Sequence, residues 1–225
     1  MDFLTKNMII EKSSKGSNLR FINSSTDFYA RDSQSGKLLA ANYISTSDLS
    51  IIMYHFNTSY NGVPMDDLYS SFEWLRSGNG PSQSPGGFEK DMIGIAVPDG
   101  WEIQSDKYAC AATAYVAPTG GWGNPTSAFC SKGNGEPVEY SLYGAAWQFD
   151  GNYSSTNTYY KGTVGLTMKK KLSTAINRAV SKYSEAKNNS SGYFAVGVTW
   201  GPVSITYYPT GGSSNNEASK DITWL

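Results

Sequence analysis

Residues 167–187 read TMKKKLSTAINRAVSKYSEAK, and the fold class turns on whether this stretch winds or extends. Leu172, Ile176, Ala179, Val180 and Tyr183 recur at helical spacing and would form one apolar stripe. Lys169, Lys170, Lys171, Arg178, Lys182 and Lys187 fall on the opposite and flanking positions, and residues 188–192 (NNSSG) break the pattern. The spacing predicts an amphipathic helix over 167–187. A second helix is expected over 64–77. There Pro64 suits a first helical position, Asp66 and Asp67 complement the positive end, Leu68, Phe72 and Leu75 repeat at helical spacing, and Arg76 and Gly78 supply a last-turn cation and a stop.

Outward from these two stretches the chain reads as strand. Residues 49–56 (LSIIMYHF) are a continuous apolar run of strand length. Shorter runs follow at 92–97, 108–117, 140–149 and 158–168, and in the last of these Tyr160, Val164, Leu166 and Met168 share one face. Phe194, Val196, Val198 and Trp200 alternate up to the turn Gly201-Pro202, after which Val203, Ile205 and Tyr207 alternate again, which predicts a hairpin. The first 42 residues are polar, with short apolar patches suited to edge strands and loops. The fold expected is α+β: a β-rich, twisted antiparallel sheet with one or two amphipathic helices packed on a face. Residues 1–225 make one domain, and the Gly/Pro/Ser stretch 79–87 (NGPSQSPGG) is a candidate loop or lobe boundary.

Composition narrows the function classes. With 18 basic against 19 acidic residues and a net charge of -1, the chain has no field that would track nucleic acid by neutralising phosphates. Charged residues make up 16% and aromatic residues 14%, with six Trp, a balance that suits a packed core and recognition surfaces rather than disorder. No run approaches about 18 consecutive apolar residues, which excludes a membrane-spanning helix. The start MDFLTKNMIIEK holds no signal-peptide apolar region, while the hydroxyl- and amide-rich composition suits an extracellular or surface-exposed mature form.

Two cysteines, Cys110 and Cys130, flank a Gly/Pro-rich segment, and the pair is expected to form a disulfide. No metal or other cofactor is expected, since there is no CxxC and the one histidine, His55, lies far from both cysteines. Within the loop, Trp122 is surrounded by glycines (GGWGN), with Asn124 and Thr126 beside it. A flat ring beside amides and hydroxyls is the chemistry that stacks on and hydrogen-bonds a sugar. Trp147, Asp150, Asn152 and Tyr159 form a second set of the same kind. These seven residues are the candidate ligand-binding set.

Catalytic motifs are absent in any form that names a reaction. The fallback candidates are His55 with Cys110 as base and nucleophile, and Glu136 with Glu139 as a carboxylate pair. Residues 43–47 (YISTS) resemble the aromatic-Ser-Thr-Ser strand of the ADP-ribosyltransferases. The chain departs from that family elsewhere: Arg20 and Arg31 lie too close upstream, and Glu136 and Glu139 are spaced Glu-x-x-Glu. The function expected is a non-enzymatic extracellular or virion-surface recognition protein. Its aromatic loops would bind glycan or another cell-surface component. The alternatives are a secreted hydrolase of saccharide or peptide bonds and a membrane-acting toxin. The partner is a cell-surface glycan or protein and not nucleic acid, with membrane contact but no span.

Overall fold

The computed structural model describes residues 7–13, 16–22, 29–31, 38–40, 44–77, 90–116, 119–130, 132–150, 160–186, 191–198, 203–210 and 215–225. The strands in chain order are β1 (Asn7–Ser13), β2 (Gly16–Ile22), β3 (Tyr29–Arg31), β4 (Leu38–Ala40), β5 (Leu49–Tyr60), β6 (Val63–Trp74), β7 (Lys90–Ala96) and β8 (Trp101–Val116). They continue with β9 (Gly121–Trp122), β10 (Glu139–Ser141), β11 (Gly144–Asp150), β12 (Tyr160–Lys170), β13 (Arg178–Ala186), β14 (Ser191–Val198), β15 (Val203–Thr210) and β16 (Asn215–Thr223). Two five-stranded antiparallel sheets result, ordered β5-β6-β12-β8-β9 and β10-β11-β7-β13-β16, together with the two-stranded ribbons β1-β2, β3-β4 and β14-β15.

The α+β expectation is overturned. Among the described residues there is no α-helix; a 3-10 turn spans Ser127–Phe129. Residues 167–186 supply the end of β12, a turn and the whole of β13, Lys187 lying outside the described residues, and residues 64–74 lie in β6. The reason is a shared period: a spacing of four is one helical turn and also two strand alternations. In β6 the inward row is Leu68, Ser70, Phe72 and Trp74, every one buried, and in β13 it is Ala179, Ser181, Tyr183 and Glu185. Serines at Ser70 and Ser181 break each row's apolar alternation, which leaves the four-residue spacing as the visible signal.

The two sheets face one another across a shared core. The Phe72 ring meets Phe149 edge-on at 4.9 Å and Tyr160 at 5.5 Å, and lies 4.8 Å from Tyr183. Gly162 makes room for it, since a Cβ there would stand 2.8 Å from the Phe72 ring. Polar groups inside are matched across the interface, as burial requires. Ser70 Oγ pairs with Ser181 Oγ at 2.7 Å, and the Trp74 indole N–H donates to the Tyr183 hydroxyl at 3.1 Å. The Tyr160 and Tyr183 hydroxyls donate to the buried Asp91 carboxylate.

The β5-β6 hairpin turns on Asn61-Gly62, both at positive φ (52° and 76°), between the partners Tyr60 and Val63. That is the two-residue turn for which Asn-Gly is the strongest short signal. The outer faces of the two sheets differ. On the second sheet Met92, Ala96, Ala146, Val180 and Ser184 are buried although they point away from the core, and the β14-β15 ribbon lies against β7 and β13. On the first sheet Ile52 is 47%, Tyr54 38% and Phe56 53% exposed along β5. Among the described residues the open outer face is therefore that of the first sheet.

Candidate functional site

Strand register assembles the site on that free face. Directly paired residues in a sheet share a face, so one row across the sheet reads Ser50, Glu73, Lys161, Thr113 and the next reads Ile52, Ser71, Thr163, Ala111. Between and around these rows lies an open trough of about 320 Å³, walled by Tyr54 on one side and Pro125 on the other. Its floor holds one acid and one base, Glu73 and Lys161, 3.9 Å apart and both part-exposed. Ser71 Oγ and Thr163 Oγ1 lie 2.8 Å apart beside them, and the Thr113 hydroxyl is committed to the Gly123 carbonyl at 2.6 Å. Next to the trough, the Tyr69 ring lies on Gly165, where a Cβ would stand 2.5 Å from it. Burial first, then the Asp67 carboxylate and Tyr60, hold the Tyr69 hydroxyl above its usual range, so it stays a donor.

The cysteine loop forms the trough's far wall. Cys110 and Cys130 are bonded, with Cα atoms 6.3 Å apart. Cys110 sits on β8 of the first sheet, and Cys130 bridges to Phe149 of β11 in the second, so the bond ties the two sheets together. The segment between them does not project. It folds back along β8, with Trp122 paired to Tyr115 and Thr126 to Ala112. Trp122 is half-buried; its ring meets Tyr115 edge-on at 5.6 Å, and the Lys161 ammonium lies 4.3 Å from its centroid. Asn124 is exposed and Thr126 part-exposed in the return that follows.

The second expected set is not assembled with the first. Trp147 is fully buried, and its indole N–H donates to the Gly135 carbonyl at 3.0 Å, so it is a core residue with no access to a ligand. The Asp150 side chain and residues Asn152 and Tyr159 lie outside the described residues, as does the stretch 79–87. The residues that sequence reading missed are Tyr54, Ser71, Lys161 and Thr163, together with the place of Glu73 beside them. Each is unremarkable alone, and register across β5, β6 and β12 is what brings them together. Along β5 the exposed Ile52, Tyr54 and Phe56 alternate with buried Leu49, Ile51 and Met53, an alternation that the continuous apolar run does not show in sequence.

The fallback catalytic groups are separated or occupied. His55 Nε2 is 2.7 Å from Asp66 Oδ1, and its ring stacks on Trp224 at 4.4 Å. Cys110 lies three strands away from β5, roughly 14 Å at ordinary strand spacing, and its sulfur is bonded to Cys130, so it offers no thiolate. Glu136 is exposed on a turn, where its N–H donates to Asn134, while Glu139 sits on β10, its carboxyl pushed above the usual range by burial. Ser45 and Ser47 lie at a turn closed by the Ser45 carbonyl, so the stretch resembling an ADP-ribosyltransferase strand is not a strand here.

No protein-family model matches the chain, and no curated protein sequence does. Among solved structures it is similar to a pore-forming protein at 10% identity, over 85% of this chain and 94% of that one, with a TM-score of 0.36. It is similar to the collagen-binding domain of a Staphylococcus aureus adhesin at 7% identity, over 76% and 97%, with a TM-score of 0.31. It is also similar to the T6 backbone pilin of Streptococcus pyogenes at 9% identity and a TM-score of 0.38, over 95% of this chain and 42% of the pilin chain. By their names, two of these three are bacterial surface proteins. At such scores the overlaps transfer neither ligand nor activity to this chain.

Proposed function

We propose that the chain is a non-enzymatic surface recognition module, working outside the cell or on a virion, that binds a glycan in the trough on its free sheet face. The observation that carries this reading is the trough itself. It sets an exposed ring, Tyr54, against paired hydroxyls at Ser71 and Thr163 and a side-by-side acid and base at Glu73 and Lys161. A carboxylate takes hydrogen bonds from sugar hydroxyls, an ammonium gives them, and a tyrosine face covers the apolar side of a ring. The volume sits at the lower end of ligand sites, which suits one or two sugar rings at the end of a chain. Rows of side chains held by a sheet are already placed, so little ordering cost is added on binding. Trp122 contributes by holding Lys161 in place over its ring.

The test is a glycan array followed by titration of Tyr54→Ala and Lys161→Met. Both side chains are part-exposed, so the melting temperature should hold, while affinity should fall by about 1 to 3 kcal/mol each, as loss of a central contact does. A folded protein that binds nothing on a broad panel, or variants that bind as the parent does, would overturn the reading.

A further inference from the structure

The end of the sandwich remote from the trough carries a second surface. Three connections meet there, because Ala96 pairs with both Gly144 and Val180 while Lys170 pairs with Trp101. They are the turns at 97–100 and 141–143 and the loop 171–177. Turn tips are normally polar, yet Leu142 is 63%, Leu172 52% and Ile176 55% exposed on them. These side chains are not loose. Lys171 and Leu172 donate their backbone N–H groups to Gly100, Ala175 closes the turn onto Leu172, and the Trp101 indole donates to the Ile176 carbonyl at 2.9 Å. Ala175 packs so closely on Gly100 that a Cβ there would stand 2.7 Å from its own. A backbone pinned this firmly holds Leu172 and Ile176 outward.

Cations flank the apolar tip. Lys169, Lys170 and Lys171 precede it; the acids at this end are Asp99 on its turn, Glu102 opposite Lys169 on β8, and Asp66 opposite Met168 on β6. Glu102 is held by Lys171 at 2.6 Å, while Lys170 is bound only by neutral groups, the Asn177 amide oxygen at 3.0 Å and the Trp101 ring at 5.5 Å. We propose that this end is a lipid-contact surface. Leu142, Leu172 and Ile176 enter the headgroup–acyl boundary of an anionic bilayer, while Lys169 and Lys170 meet lipid phosphates. Aliphatic side chains bordered by lysines fit that boundary, where apolar burial and attraction to anionic headgroups act together. A second copy of this chain fits less well, because a two-fold contact would set the lysines against each other.

Co-sedimentation with phosphatidylcholine–phosphatidylserine vesicles, and with phosphatidylcholine vesicles alone, tests the proposal. The protein should partition onto the mixed vesicles more strongly, and added salt should weaken it. Leu172→Ser with Ile176→Ser should lower partition on both by roughly a hundredfold, about tenfold per side chain withdrawn from the boundary. Lys169→Gln with Lys170→Gln should cost about tenfold or more on the mixed vesicles and little on phosphatidylcholine. All four positions lie outside the core, so the unfolding midpoint serves as the control for fold. The proposal fails if the parent stays in solution with both vesicles or if the apolar variant binds as the parent does. It also fails if light scattering shows instead a dimer that the apolar variant dissolves.

Discussion

The hydroxyl pair between Ser70 and Ser181 tests the sandwich directly. Both side chains are fully buried, they belong to strands of opposite sheets, and their oxygens are 2.7 Å apart. Removing one oxygen leaves the other buried without its partner, which costs about 1 to 3 kcal/mol, whereas removing both takes away a hydrogen bond worth only about 0.5 to 1.5 kcal/mol net. Ser70→Ala and Ser181→Ala should therefore each destabilise by about 1 to 2 kcal/mol. The double variant should lose about 1 kcal/mol or less, well short of the sum, a coupling of roughly 1 to 3 kcal/mol. Urea unfolding of the four proteins, with fixed slope, measures the cycle. The helical reading of 167–187 puts Ser181 on the wet face, where alanine would be neutral or mildly favourable. Additivity within about 0.3 kcal/mol, or no cost at Ser181, would refute the facing of β6 on β13.

Two further outcomes are expected. Replacing Cys110 and Cys130 together by serine should lower stability by about 3 kcal/mol, the chain-entropy value for a separation of 20 residues. Amide exchange should then quicken at Gly123, whose N–H bonds to the Ala114 carbonyl; unchanged exchange there would show that β9 holds without the bond. Burial raises the Glu139 carboxyl above its ordinary range, so the folded state keeps the proton longer than the unfolded chain does, and stability falls as pH rises through the folded value. Glu139→Gln should therefore melt higher than the parent at about pH 7 and the same near pH 3; an equal difference at both would remove burial as the cause.

Strand positions were legible wherever apolar residues ran together or alternated. The run at 49–56 extends as β5, and the alternating residues at 194–198 and 203–207 lie in the β14-β15 ribbon with Val198 opposite Val203, while Trp200 and Gly201-Pro202 lie outside the described residues. The errors came where inward polar residues interrupted the alternation. Asn61-Gly62 was the corrective signal: a two-residue turn with both φ positive sends the chain straight back along β5, which leaves no room for a helix starting at Pro64. The cysteine loop was legible as a chemical unit, but not as an edge strand. The trough was not legible at all, because Glu73 and Lys161 become neighbours only through the pairing of β6 with β12, and no local pattern states that register.

The bond between Cys110 and Cys130 also has a mechanical meaning. Tension along the backbone enters at Cys110 and crosses to Cys130 through the sulfurs, bypassing the 20-residue separation between them. At about 3.4 Å per extended residue, roughly 70 Å of contour is withheld from stretching. That withheld length includes β9 and Pro125, which lines the trough. Shear strong enough to peel β5 from the sheet edge would carry Tyr54 away while Pro125, on the opposite wall, stays fastened to β8, so the trough would open from one side only.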